Sequence, residues 1–139
     1  MTALGTRKLT LTIDGTEVSP AVSRAEIASE ETDSDFVSFA DARAGGGRTY
    51  KLLVTFVQDP AADSLWDLVW SAAGTEVPVL LRPDGNAIAD PDQPHFSGTV
   101  VVIEPDGTLL GGEADPSTTA RWTTEAEWTF TAKPLRVTV

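Results

Sequence analysis

Side chains capable of catalytic chemistry are few in this sequence. Cysteine is absent and His95 is the only histidine, which excludes a thiolate zinc site and a site with several histidine ligands. His95 would be the one candidate base of a serine hydrolase, yet no serine stands in a nucleophile motif. It stands before a β-rich run, which favours a residue at the edge of a strand. We therefore predict no catalytic residue, no cofactor and no enzymatic activity.

Acidic side chains in one loop raise the possibility of a calcium site. Asp84, Asn86, Asp90 and Asp92 offer the oxygen ligands that Ca²⁺ prefers. Their spacing does not match an EF-hand, because the glycine stands at position 85 and no suitably spaced glutamate follows. A solvated acidic loop is the favoured interpretation, and no metal site is predicted.

Glu125 and Glu127 stand two residues apart in a segment, 119–131, that reads as one long strand. Side chains alternate between the faces of a strand, so the two carboxylates share a wet face. The opposite, dry face is predicted to hold Trp122, Ala126, Trp128 and Phe130. Paired carboxylates occur in glycosidases, but on an exposed strand they more often face water. That water is either bulk solvent or an enclosed channel.

The charge of the chain is strongly negative, at −11, and unevenly distributed. Residues 84–127 hold nine acids and a single base, Arg121. Such a surface would repel nucleic acid, because affinity for the phosphate backbone comes largely from basic contacts. The charge serves either solubility alone or a surface that DNA passes without sticking.

The length of 139 residues predicts a single domain, 1–139. No apolar run approaches the ~20 residues of a membrane span. The N-terminal region has no stretch resembling a signal peptide, which fits synthesis in the cytoplasm.

The pattern is mainly β, with one helix. Alternating or β-rich runs predict strands at 8–13, 17–29, 36–39, 48–58, 77–81, 96–103, 119–131 and 135–139. A helix is predicted over 60–73, with Asp59 as N-cap, Pro60 as first residue and Gly74 as the stop. Its apolar stripe, expected to pack on the sheet, is Leu65, Leu68, Val69 and Ala72.

A loop of about residues 40–49 lies between two predicted strands. Its three glycines are not a phosphate loop, since no Gly-Lys-Ser/Thr ending and no helix follow. The loop is either a hairpin tip or a segment that orders against a partner. The residues expected to make such a contact are Asp41, Arg43, Gly45, Gly46, Gly47 and Arg48.

Four tryptophans are many for this length. Trp66 and Trp70 stand in the predicted helix, and Trp122 and Trp128 in the last long strand. Exposed tryptophans could form a carbohydrate-stacking platform. The parity of the strand favours core or helix contacts for Trp122 and Trp128 instead.

The order of several short blocks resembles the major tail tube proteins of long, non-contractile-tailed (siphovirus-type) bacteriophages, in particular phages of actinobacterial hosts. The blocks are VPVLLRP (77–83), GNA (85–87), PHFSGTV (94–100), LGGEAD (110–115), WTF (128–130) and KP (133–134). None is a catalytic signature, so specificity rests on their order. The similarity spans residues 36–139, and the first 35 carry little of it.

The resemblance implies a β-sandwich or barrel-like subunit with one flanking helix. Six subunits would form a ring whose inner strands merge into a barrel, and rings would stack into a tube through the loop at 40–49. DNA would pass through an acidic lumen without specific binding, and Glu125 and Glu127 are candidates for lining it. The implied location is the virion tail, assembled in the bacterial cytoplasm, with tape measure, terminator and distal tail proteins as further partners.

Two other classes of function remain open. The chain could be another small phage tail or neck component, or a tube protein of a related injection machine. It could also be a carbohydrate-binding or adhesion β-sandwich that uses exposed tryptophans.

Overall fold

The computed structural model describes residues 3–32, 36–44 and 47–139, and in them the chain is mainly β. Eight strands among these residues form one antiparallel sheet, which confirms the predicted fold class. The strands are β1 (Thr10–Ile13), β2 (Thr16–Glu17), β3 (Val22–Glu31), β4 (Arg48–Val57), β5 (Glu76–Arg82), β6 (His95–Val101), β7 (Thr123–Phe130) and β8 (Leu135–Val137). Two helices, α1 (Phe39–Arg43) and α2 (Leu65–Ala72), and a 3₁₀ turn at Ser19–Ala21 complete the described elements.

Strand β6 joins the two halves of the sheet. The strand order is β2-β1-β5-β6-β7-β4-β3, and β8 also pairs with β6. β6 pairs with β5 along most of its length, but with β7 only through Val100 opposite Phe130 and Val101 opposite Thr129. β8 takes the other end of β6, from His95 to Ser97. Because a strand has two edges, β7 and β8 share one edge of β6.

The core follows from strict alternation in the longer strands. β4 buries Leu52, Val54 and Phe56, and its intervening residues are only half-buried. The same two-residue period buries alternate residues of β1, β5 and β7. Side chains from both halves of the sheet form one cluster with the buried face of α2, as expected for a sandwich-like fold.

The helix that covers this core is shorter than the sequence pattern predicts. It begins at Leu65, not at residue 60, because Ser64 is the N-cap and its Oγ accepts from the amide of Asp67 at 3.0 Å. The predicted cap, Asp59, instead accepts from the amide of Ala61 in the preceding turn. Gly74 follows the helix with a positive φ of 90°, as expected for a stop.

Three further boundaries differ from the prediction. Residues 36–39 do not form a strand, because Ser38 and Asp41 form a capping box that starts helix α1 at Phe39. The run at 17–29 is interrupted by the 3₁₀ turn around Pro20. The long strand predicted at 119–131 is only Thr123–Phe130, since the ladder to β4 ends where Val57 pairs with Thr123.

Candidate assembly surfaces

One face of the β3-β4-β7 sheet carries a concentration of charged groups. We call it the acidic face: Arg24, Glu26, Glu30, Lys51, Glu125 and Glu127. Glu125 lies opposite Thr55 and Glu127 opposite Leu53, so both glutamates point away from the core that Ala126 and Trp128 enter. Both are exposed. The expected wet face of this strand therefore lies where the alternation predicts it.

Two basic side chains offset part of this charge. Lys51 Nζ lies 2.8 Å from Glu30 Oε1 and 3.7 Å from Glu127 Oε2. Arg24 Nη2 lies 2.9 Å from Glu26 Oε2. The hydrogen bond from Arg24 lowers the pKa of Glu26, and the hydrogen bond to Glu30 raises the pKa of Lys51. Four carboxylates against two cations leave the face negative.

A trough of about 700 Å³ lies between the acidic face and the segment 103–108. Glu104 and Asp106 line it together with Glu125 and Glu127, which adds further negative charge. Within the part of the chain that the structure describes, no three histidine or acidic side chains gather closely enough to hold a metal ion. The trough is thus suited to repelling anions.

The structure places the residues of the predicted partner loop at 40–49 in different elements. Asp41 is used locally, because its carboxylate accepts from the amide of Ser38 at 3.2 Å. Arg43 lies exposed in the last turn of α1, and Arg48 is the first residue of β4, opposite Glu31. The carbonyl of Gly47 accepts from the amide of Thr32 at 2.9 Å, and the predicted contacts at Gly45 and Gly46 lie outside the described residues.

The residues just before this loop expose apolar side chains that the prediction overlooked. We call Phe36, Val37 and Phe39 the apolar arm; they are 77%, 60% and 92% exposed. No residue of α1 is buried. The signal was present in the sequence, since three large apolar residues lie between polar segments, but they read as a short strand.

The tryptophans divide between core and surface. Trp128 is buried, as expected, and Trp66 is buried although the sequence pattern places it beside the predicted stripe, whereas Trp70 is 56% and Trp122 is 50% exposed. The prediction of a dry Trp122 is wrong because β7 begins only after it, at Thr123. Trp70 stacks on Trp66 with ring centroids 5.3 Å apart.

The predicted helix stripe is only partly buried. Leu65 and Val69 lie in the core, while Leu68 and Ala72 are half-buried. Trp66 replaces them on the buried face, and its Nε1 donates to the carbonyl of Leu109 at 2.8 Å.

Sequence reasoning also missed Gln58, which organises the segment after β6. The Gly111 amide donates to Gln58 Oε1 at 2.7 Å, and Gln58 Nε2 donates back to the Gly111 carbonyl at 3.2 Å. Next to it, Trp122 covers Gly112 and donates from Nε1 to the carbonyl of Glu113 at 2.9 Å. A polar residue directly after the apolar strand β4 was the available signal.

The acidic loop before β6 is held by its own hydrogen bonds. His95 is buried, and its Nε2 donates to the carbonyl of Asn86 at 3.0 Å. Asn86 Nδ2 donates to the carbonyls of Ile88 and Gln93, while Asp90 Oδ1 accepts from the amides of Asp92 and Gln93. Asp90 and Asn86 therefore shape the loop, and His95 fastens it to the start of β6.

Comparison with known proteins gives no family model that matches this chain, and a search of curated proteins finds no match. None of the helices in the described ranges is both long enough and apolar enough to cross a membrane.

Proposed function

We propose that this chain is a structural subunit that assembles into stacked rings of a phage tail tube, the conduit through which DNA leaves the virion. The observation that carries the proposal is the acidic face beside β3, the terminal strand of the sheet among the described residues. It combines a wall that DNA would not bind with an edge at which subunits could join. The resemblance adds six subunits per ring and a place in the virion tail.

The charge of the acidic face suits a lumen. In a ring, Glu125 and Glu127 of every copy would form two belts of negative charge, with Glu104 and Asp106 nearby in the trough. Phosphates passing along such a wall meet repulsion throughout and find no point of attachment. A wall rich in unpaired lysine and arginine would instead retain the DNA.

The edge of β3 offers a route to ring closure. β3 is ten residues long and is the terminal strand of the described sheet. An edge of this length presents unpaired backbone groups to another chain. Pairing with a different edge of the next copy is a heterologous contact, which closes into a ring when the rotation per subunit permits. The acidic face continues onto β3 and would thus run from one copy to the next.

A carbohydrate-binding module is the second candidate, favoured by the exposure of Trp70 and Trp122. Aromatic faces of this kind can stack on sugar rings. The two functions separate in a simple experiment, since a sugar binder remains a monomer at high concentration and its tryptophan fluorescence changes on adding glycans.

The tube is tested by electron microscopy of the concentrated protein and by nuclease protection. Open tubes of uniform width are expected from the wild-type chain. Tubes of Glu125→Lys/Glu127→Lys should retain short DNA duplexes inside, where nuclease cannot reach them. Glu113→Lys/Asp115→Lys is the matched control, since it makes the same charge change outside the acidic face. Equal protection by both variants would contradict the luminal role, and a protein that stays monomeric would contradict the tube.

A further inference from the structure

One edge of strand β7 has few partners among the described residues. β7 pairs with β4 at seven positions but with β6 at only two. The amide of Thr131 donates to the carbonyl of Thr99 in the register of the β6 ladder, and the amide of Gln58 donates to the carbonyl of Trp122 in the register of the β4 ladder. Main-chain groups turn to the two sides alternately along an antiparallel strand. The odd-numbered residues of β7 therefore turn theirs away from β4.

Glu125 and Glu127 are the residues that this alternation leaves without a neighbouring strand. No hydrogen bond joins their main-chain N–H and C=O groups to the other described residues. On one side of them, Gln58 Nε2 donates to the carbonyl of Thr123 at 3.2 Å, and on the other side Thr129 pairs with β6. The edge between these two points, which we call the β7 edge, is a template on which an extended chain can add as a further strand.

The trough of about 700 Å³ lies along the β7 edge and is negative. Its opposite wall, segment 103–108, contributes the carboxylates of Glu104 and Asp106, which join those of the two glutamates of β7. The two cations that line the trough, Arg24 and Lys51, already have carboxylate partners on β3. A chain that adds to the β7 edge therefore meets an excess of negative charge, which favours basic side chains and disfavours acidic ones.

Residues 3–8 of this chain, which we call the basic segment, have the complementary chemistry. All six are exposed, and they form no hydrogen bond or ion pair with the other described residues. The segment contains Arg7 and Lys8, the only adjacent pair of basic residues in the sequence, and the first acid of the chain is Asp14. It therefore brings two positive charges and no negative charge to any surface that it joins.

The fold keeps the basic segment away from the β7 edge of its own copy. The carbonyl of Lys8 lies so close to Gly85 that a Cβ there would clash with it. Arg7 lines a groove beside β3 together with Glu17 and Glu26, and it forms an ion pair with neither. The strands β3 and β4 separate this groove from the β7 edge. A second copy, with its β3 side turned toward the β7 edge, can bring the segment there.

We propose that the basic segment of one copy adds as a strand to the β7 edge of a second copy, within the trough. Directly opposite side chains of an antiparallel pair point to the same face. A register that sets Arg7 opposite Glu125 or Glu127 thus places opposite charges side by side. Because the segment and the edge are different surfaces, the contact is heterologous, which is the kind that closes a ring.

The proposal rests on the proposed function, in which copies of this chain join edge to edge, and it names the surfaces that meet. The contact also leaves the proposed lumen negative. Glu26 and Glu30 on β3 and the four carboxylates of the trough make six. Arg7 and Lys8 raise the number of cations beside them only from two to four.

Cross-linking between copies tests the contact directly, because the natural chain has no cysteine. Thr6→Cys protein is mixed with Asp106→Cys protein and treated with a short bis-maleimide. We expect cross-linked dimers of mixed composition. The control pair is Thr6→Cys with Ala114→Cys, since Ala114 is exposed and lies outside the trough. Equal cross-linking of both pairs would overturn the proposal. A chain carrying cysteines at 6 and 106 that cross-links only within itself would overturn it as well.

Charge reversal separates this contact from the tube itself. Arg7→Glu/Lys8→Glu should raise the concentration needed for assembly by about tenfold or more, because carboxylates would then face carboxylates in the trough. Adding Glu104→Lys/Asp106→Lys to the same chain should restore assembly. Arg121→Glu/Lys133→Glu is the matched control, since it makes the same charge change at exposed residues outside the trough.

The outcomes for the contact and for the tube are distinct. Normal tubes from Arg7→Glu/Lys8→Glu protein would overturn the contact and leave the tube standing. An equal defect in the control would also overturn the contact, because net charge alone would then explain it. A wild type that forms no tubes, but whose cysteine variants still cross-link selectively, would contradict the tube and support the contact.

Discussion

The side-chain amide of Gln58 holds the backbone of Gly111 from both ends. Its Oε1 accepts from the Gly111 amide at 2.7 Å, and its Nε2 donates to the Gly111 carbonyl at 3.2 Å and to the Thr123 carbonyl at 3.2 Å. The two partners are 53 and 65 residues away in the chain. One side chain at the end of β4 thus joins the loop after β6 to the first residue of β7.

Gln58→Ala should destabilise the protein by about 1–3 kcal/mol, because partly buried backbone groups lose their partners. Gln58→Glu keeps the acceptor for the Gly111 amide but sets a negative oxygen against two carbonyls, so it should cost at least as much. Urea unfolding followed by tryptophan fluorescence measures both. Gln93→Ala, at an exposed glutamine, is the control. A Gln58→Glu protein as stable as wild type would contradict the two-sided role of the amide.

The ring of Phe130 leaves no room for a side chain at position 98, which is a glycine. A Cβ at position 98 would lie 2.8 Å from Cδ1 and Cε1 of Phe130, a buried residue. Gly98→Ala should therefore cost about 1–3 kcal/mol, as overpacking of a core does. Gly107→Ala is the matched control, since a Cβ there meets no atom within 4 Å. Thermal or urea unfolding of the two variants decides the point, and equal stabilities would mean that the ring moves aside freely.

Leu65 and Leu68 allow a matched test of the α2 packing. Leu65 is 5% exposed, whereas Leu68 is half-buried at the margin of the core. Leu65→Ala should cost about 2–5 kcal/mol, as for a buried leucine, and Leu68→Ala clearly less. The free energies of unfolding of the two variants give the comparison. The reverse order would mean that α2 is rotated about its axis relative to the described packing.

The ion pair of Glu26 predicts a contribution to stability that disappears in acid. The hydrogen bond from Arg24 lowers the pKa of Glu26 in the folded state. The contribution is present above the ordinary glutamate pKa, about 4.3, and is lost as the pH falls through the lower folded-state value. Both side chains are well exposed, so the effect should be small.

Urea unfolding between about pH 3 and about pH 6 tests this dependence. The stability difference between wild type and Glu26→Gln should shrink on acidification. Glu31→Gln, on the same strand, provides the comparison. A difference that grows as the pH falls would contradict the assigned sign.

Much of the sheet was predictable because burial on one face imposes alternation. The alternation predicts both the strand and its buried face, as it does for Val54 and Phe56 in β4 and for Ala126 and Trp128 in β7. Local competition between signals was harder to resolve. Asp59-Pro60 and Ser64 both begin helices well, and the structure uses Ser64. Phe36, Val37 and Phe39 read as a strand, but the capping box of Ser38 and Asp41 is a local hydrogen-bond arrangement that starts a helix instead.

The candidate surfaces were less predictable than the strands. Alternation assigns Glu125 and Glu127 to one face but does not say that Lys51 and Arg24 share it, because the order β7-β4-β3 joins segments far apart in the chain. The exposure of Trp122 depends on where β7 begins, and that start is determined by its pairing with β4. The role of Gln58 depends on a loop that returns to it from 53 residues away.

The narrow junction between β6 and β7 has a consequence for hydrogen exchange. Only two residue pairs join these strands, whereas β4 and β7 are joined over seven positions. The half containing β1, β2, β5 and β8 is thus linked to the half containing β3, β4 and β7 by little backbone pairing. Opening there would break few hydrogen bonds and leave each half paired internally. The amides at this junction should therefore exchange with solvent sooner than those of the β4-β7 ladder.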